Sequence, residues 1–117
     1  MKCTVYHNQK CSKSRATLEL LQSKGLEPNI IDYMKNFLKV NELEKIVNKF
    51  KIHPKKLIRF KEDKAKGLGI SANDNITNKQ WITILAKNPE LIERPIVVTS
   101  DGAIIGRPPE NVLKVLD

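Results

Sequence analysis

The 117-residue sequence holds only two cysteines, Cys3 and Cys11, too few for a disulfide framework. Aromatic residues make up 5% of the chain, which leaves few rings on which nucleic-acid bases could stack. Nucleic-acid binding is therefore not expected. No apolar run approaches the ~18 residues needed to cross a bilayer, and no stretch after Lys2 resembles a signal peptide. The expectation is a cytoplasmic protein that stays off the membrane. His7 and His53 are scattered and give, with two cysteines, no metal-ligand spacing, so no metal site is expected.

What is present suits one compact domain spanning residues 1–117, with 40% hydrophobic and 29% charged residues. The formal charge is +8. Much of the excess lies in Lys45, Lys49, Lys51, Lys55, Lys56, Lys61, Lys64 and Lys66, which are spread among apolar and acidic residues. Such charge is either a solvated lysine-rich face or a means of attracting an anionic ligand or acidic partner.

Cys3, Thr4, Val5 and Tyr6 form a β-prone run, and residues 12–24 then place Ala16, Leu18, Leu20 and Leu21 in a helical pattern stopped by Gly25. Ile30 and Ile31 mark a second strand over 28–33. Strand, helix and strand in about thirty residues predict a parallel, right-handed βαβ unit. Asn41 and Glu44 read as a capping box ahead of Leu43, Ile46, Val47 and Phe50. Thr77 and Gln80 read as a second box, with Trp81 as a packing residue. Residues 60–75, with Gly67 and Gly69, suggest a loop or short irregular helices. Two β-prone runs, 96–99 and 103–105, flank Ser100, Asp101 and Gly102 as a hairpin, and Pro108 and Pro109 open a last helix. The order β-α-β, helical insertion, β-β-α predicts an α/β, thioredoxin-like fold with a mixed four-stranded sheet and flanking helices.

In that fold Cys11 stands at the amino end of the first helix, where free backbone N–H groups and the helix dipole favour an anion. A thiolate at neutral pH is the consequence. Ser14 and Arg15, one turn on, offer a hydroxyl and a charge to the same place. Free cysteines are often buried and inert, but Gln9, Lys10, Ser12 and Lys13 surround Cys11 with polar groups, whereas Cys3 lies in a strand pattern and reads as core. Ser14 stands where a dithiol would place its second cysteine. Any redox chemistry then needs a resolving thiol from Cys3, glutathione or a partner protein. His7, four residues before Cys11, is placed to orient the loop or tune the thiolate.

Three stretches, "YHNQKCSKSR" with its H-x3-C-x3-R spacing, "LIRFKE" and "ERPIVVTSDGAIIGRP", resemble the glutaredoxin-coupled arsenate reductase family, a thioredoxin-superfamily branch, over residues 5 to about 116. The resemblance implies that Cys11 is the nucleophile, with His7, Asn8, Ser14 and Arg15 supporting it. It also implies that Arg59, Arg94 and Arg107 bind the arsenic oxyanion and that Pro95 is the cis-proline facing the cysteine loop. Arsenate is then the substrate, glutathione the co-substrate and glutaredoxin the protein partner, with no bound cofactor. Gly106 stands where some relatives carry a cysteine. Two other readings share the fold: an RNA polymerase-binding regulator of the Spx type, which commonly carries Cys-x-x-Cys, and a glutathione-dependent thiol reductase not specific for arsenate. The arginine triplet favours arsenate.

Overall fold

The computed structural model describes residues 2–50 and 53–116. Lys51, one of the basic run, lies outside the described residues. The chain forms two compact units, one made of Met1–Asn36 with Arg94–Asp117 and the other of Phe37–Glu93.

The first unit carries the sheet. Strands β1 (Cys3–His7), β2 (Asn29–Asp32), β3 (Ile96–Thr99) and β4 (Gly102–Ile105) lie in the order β2-β1-β3-β4. β1 and β2 are parallel, joined through α1 (Ser12–Ser23), and both β1–β3 and β3–β4 are antiparallel. This is the mixed thioredoxin-like sheet that the element order predicts. α1 ends because Gly25 takes φ 79°, a left-handed conformation that glycine adopts without steric cost. Cys3, Val5, Leu21, Val97, Val112 and Val115 make the core of this unit, so β1, β3, α1 and the carboxyl-terminal turns share one apolar interior. The last helix is a 3-10 helix, Pro109–Val115, begun by Pro109 and by Asn111 N–H donating to Pro108 O at 3.0 Å.

The buried face of α1 differs from the apolar stripe predicted for it. Ser14, Thr17 and Leu21 are buried, while Ala16, Leu18 and Leu20 are only partly covered. The two hydroxyls are admitted because both find partners: Ser14 at His7, and Thr17 at Gly106 O, 3.4 Å away. That choice of face places a polar residue, Ser14, directly beneath the loop that holds Cys11.

The second unit is helical: α2 (Val40–Phe50), α3 (Asp63–Leu68) and α4 (Asn78–Lys87), with 3-10 turns at Pro54–Leu57 and Pro89–Leu91. The expected box at Asn41 and Glu44 is displaced. α2 already begins at Val40, and it is Glu42 that accepts from the Lys39 N–H at 3.2 Å, because residue 42 lies three beyond the true cap. The Thr77–Gln80 box forms as predicted, with Gln80 N–H donating to Thr77 Oγ1 at 3.1 Å and Thr77 N–H to Gln80 Oε1 at 2.8 Å. Trp81 is fully buried and meets Phe60 edge-on, at 5.7 Å between ring centres. Among the described residues, no helix is long and apolar enough to cross a membrane.

Candidate active site

Parallel pairing of β1 with β2 brings the carboxyl ends of both strands to one edge of the sheet, with His7 opposite Asp32. The chain leaves β1 at His7, turns through Asn8–Gln9–Lys10, and enters α1 with Cys11 as its N-cap residue. Two bonds tighten this turn: Cys11 N–H donates to Asn8 O at 2.9 Å, and Lys10 N–H donates to Asn8 Oδ1 at 3.0 Å. Arg15 clamps it from the helix, its guanidinium donating to Gln9 O at 2.7 Å.

Ser14 ties the loop to the strand. Its Oγ lies 2.6 Å from His7 Nδ1 and accepts the Asn8 N–H at 3.1 Å. His7 is buried, and that burial lowers its pKa from the ordinary 6.5, as does the Arg15 charge, with Asp32 pulling the other way. A neutral ring can accept from the Ser14 hydroxyl at Nδ1 while the hydroxyl oxygen receives the Asn8 N–H. The side chains of His7, Asn8, Ser14 and Arg15 are thereby held in place before any ligand arrives.

Cys11 uses no side-chain bond to cap its helix, so the sulfur is left to other partners. Burial pushes its pKa up, but the backbone N–H groups of Ser14 and Lys13 and the Arg94 guanidinium together outweigh this and hold the thiol below its ordinary value. Arg107 Nη1 stands 3.7 Å from the sulfur and also donates to Arg94 O at 3.3 Å. Asn111 secures the Arg107 backbone by donating to its carbonyl at 3.0 Å. Arg94 and Arg107 frame the hairpin β3–β4, and both are followed by cis prolines, Pro95 and Pro108. Gly106 permits a close approach here, since a Cβ at this position would come within 2.6 Å of Thr17 Oγ1 and 3.0 Å of Pro95 Cγ.

Cys11, Arg94 and Arg107 are therefore brought together, with His7, Asn8, Ser14 and Arg15 shaping the loop. Arg59 lies in the helical unit, following Ile58, which bridges Ile92. Its N–H donates to Leu91 O at 2.7 Å, and its guanidinium pairs with Glu62 at 2.6 Å and reaches Glu93 at 3.9 Å. Cys3 is buried in the core of the first unit, and burial raises its pKa, which marks it as the less reactive thiol.

Neither the motifs nor the resemblance point to Tyr33, yet it also reaches this site. Its hydroxyl is buried beside Arg94 and Asn8, and near Cys11. The available signal is the βαβ order, because the residue that follows β2 must lie beside the loop that follows β1. A cleft of about 300 Å³ adjoins the same loop, lined by Asn8, Gln9, Lys10, Asp32, Met34 and Lys35. Among the described residues, no group of three or more His, Cys, Asp or Glu side chains is placed to hold a metal ion.

A low-pKa thiol at a helix amino end, facing two guanidinium groups, can attack an electrophile whose oxygens carry negative charge. The ArsC family model matches residues 6–115. An arsenate reductase of Haemophilus influenzae is 41% identical over 117 residues, with 99% of this chain and 100% of the relative covered. An arsenate reductase of Neisseria meningitidis serogroup B is 38% identical over 113 residues, covering 96% of each. Among solved structures, the arsenate reductase from Vibrio cholerae superposes with a TM-score of 0.93 at 38% identity, covering 99% of this chain and 98% of its own. With a family model and full-length relatives converging on the same stretch that holds Cys11, Arg94 and Arg107, the chain belongs to the ArsC family.

Proposed function

We propose that this protein reduces arsenate to arsenite, using Cys11 as its single nucleophile and glutathione and glutaredoxin as the source of electrons. The observation that carries the reading is the convergence of the Ser14 and Lys13 N–H groups, Arg94 and Arg107 on one half-buried thiol. The names of the relatives and the family match support arsenate as the substrate.

The Cys11 thiolate attacks arsenic, forming an S–As bond as one arsenate oxygen leaves as water after protonation. Arg94 and Arg107 hold the remaining oxygens, and Arg59 keeps the anion-binding role that the resemblance implies for it. A guanidinium fork matches a tetrahedral oxyanion better than an ammonium does. The glutathione thiolate then attacks Cys11 Sγ. An S–S bond forms, the S–As bond breaks, and arsenic keeps the electron pair and departs as arsenite. Glutaredoxin breaks the resulting Cys11–glutathione disulfide by thiol exchange and restores the enzyme. The cleft beside the loop suits such a reductant, because Lys10 and Lys35 match two carboxylates and Asp32 an ammonium.

The test is direct. Purified protein supplied with glutathione and glutaredoxin turns over arsenate, and no turnover under these conditions refutes the assignment. Replacing glutaredoxin with thioredoxin as the donor separates the electron source from the reaction itself.

A further inference from the structure

Two buried polar atoms of the first unit have no hydrogen-bond partner among the described residues: Tyr33 Oη and Arg94 Nε. Tyr33 is fully buried, its hydroxyl beside the Arg94 guanidinium and the Asn8 carboxamide, and close enough to Cys11 to feel its charge. Buried polar groups in folded proteins are almost always satisfied, so two unsatisfied atoms flanking one thiol ask for a partner that arrives later. Arg94 Nε can only donate, and the Tyr33 hydroxyl, which already has the Arg94 and Asn8 donors beside its oxygen, has its own proton to give, so the missing partner is an acceptor. The neighbouring guanidinium groups make it an anion.

We propose that Tyr33 is a further substrate-contacting residue, its hydroxyl donating a hydrogen bond to an oxygen of the tetrahedral oxyanion held beside Cys11, while Arg94 Nε donates to the same anion. This rests on the oxyanion-reducing reading above, but concerns only how the anion is held. The ring stands in the turn that follows β2, whose Asp32 is in register with His7, and Met34 N–H donating to Asp32 Oδ1 at 3.1 Å and Lys35 N–H to Asp32 O at 3.1 Å close that turn. Burial pushes its pKa up to about 12, and the hydroxyl therefore remains a neutral donor throughout the working range of the thiol. A neutral donor adds directional binding without adding another charge to the site. Tyr33 Oη and Arg94 Nε both lie below the protein surface, so the side chains around them part as the anion enters.

Tyr33→Phe keeps the ring and removes only the hydroxyl. The measurement is the concentration of arsenate, phosphate or sulfate that halves iodoacetamide labelling of Cys11, read beside the thermal midpoint. Loss of one hydrogen bond to a charged acceptor should weaken protection by on the order of 10-fold or more. The thermal midpoint should stay level or rise, because an unsatisfied buried group has been deleted. Protection within twofold of the parent protein overturns the proposal. Incorporating 3-fluorotyrosine at position 33 makes the hydroxyl a stronger donor with a change of one ring atom and should tighten protection where the thermal midpoint is kept; unchanged or weaker protection at an unchanged midpoint also overturns it. If the parent protein is protected by these anions but does not turn over arsenate, the functional assignment fails while Tyr33 is still judged by its variants. If no tetrahedral anion protects the parent, the role proposed for Tyr33 falls as well.

Discussion

Replacing Arg107 with Gln removes a positive charge 3.7 Å from the Cys11 sulfur and leaves a side chain of similar reach. Two unit charges ~4 Å apart interact by about 1 kcal/mol in water and about 4 kcal/mol at an effective dielectric of ~20. Cys11 is half-buried, so solvent screening places its loss toward the lower figure, about 1–2 kcal/mol. Below the titration of the thiol, that loss reduces the thiolate population by roughly 5- to 30-fold. The remaining thiolate becomes a better nucleophile as its basicity rises, with a Brønsted slope of about 0.4–0.5, so the labelling rate falls only about 2- to 8-fold. At pH values where both proteins are fully ionised, the same slope makes the variant faster. Rates of iodoacetamide labelling measured from low to high pH should therefore cross: Arg107→Gln slower in acid, faster in alkali. Arg107→Lys, which keeps the charge, should follow the parent more closely. Parallel curves, or a variant slower at every pH, would show that Arg107 acts on access to the sulfur and not on its charge.

Three other outcomes follow from the same geometry. Cys11→Ser should abolish arsenate turnover, since a hydroxyl is a far weaker nucleophile, whereas Cys3→Ser should keep most of it and lose about 1 kcal/mol or more of stability from a hydroxyl placed in the core. Thr77→Ala should cost about 1 kcal/mol in chemical denaturation by removing the cap that receives the Gln80 N–H. His7 has its folded-state pKa lowered below 6.5, so the unfolded chain binds more protons just below that pH, and stability should decline as pH falls from about 6.5. His7→Asn should flatten that slope in denaturation series, and an unchanged slope would show that another group causes it.

The elements set by local chemistry were the ones readable from sequence. Gly25 ends α1, the Thr77–Gln80 pair caps α4, and the β-prone runs 96–99 and 103–105 fold back as a hairpin, each through neighbours only a few residues apart. The buried face of α1 was not readable by counting apolar residues, because Ser14 and Thr17 earn their places through partners at His7 and Gly106. The start of α2 slipped by two residues because Glu42 and Glu44 are equivalent as sequence signals, and only the turn at Val40 selects between them. Within the site, the helix position of Cys11 followed from the βαβ pattern. Arg107, 96 residues away, stands out in the sequence only by preceding Pro108 at an element boundary, and its link to the thiol came through the family resemblance, since no periodicity joins them. Tyr33 entered through neither, because its importance depends on strand pairing and on an unsatisfied atom.

In the proposed attack, the placement of donors around Cys11 lets one site favour both its start and its finish. Before attack, negative charge lies on sulfur, facing the Ser14 and Lys13 N–H groups and Arg94. In the proposed step, that charge would move out to the arsenic oxygens as the S–As bond forms. Arg107, bonded through its Nη1 to Arg94 O as well as approaching the sulfur, is held in a position from which it serves either location. Because the turn is already fixed by Asn8, Ser14 and Arg15, the donors need no reorganisation as the charge travels. A lysine pair of equal charge would supply attraction without this fixed direction, since an ammonium is a compact, rotating donor on a flexible stem. Catalysis of this kind depends on charge moving a few ångströms within a stationary field, which is why the supporting residues around Cys11 matter although none of them need touch arsenic.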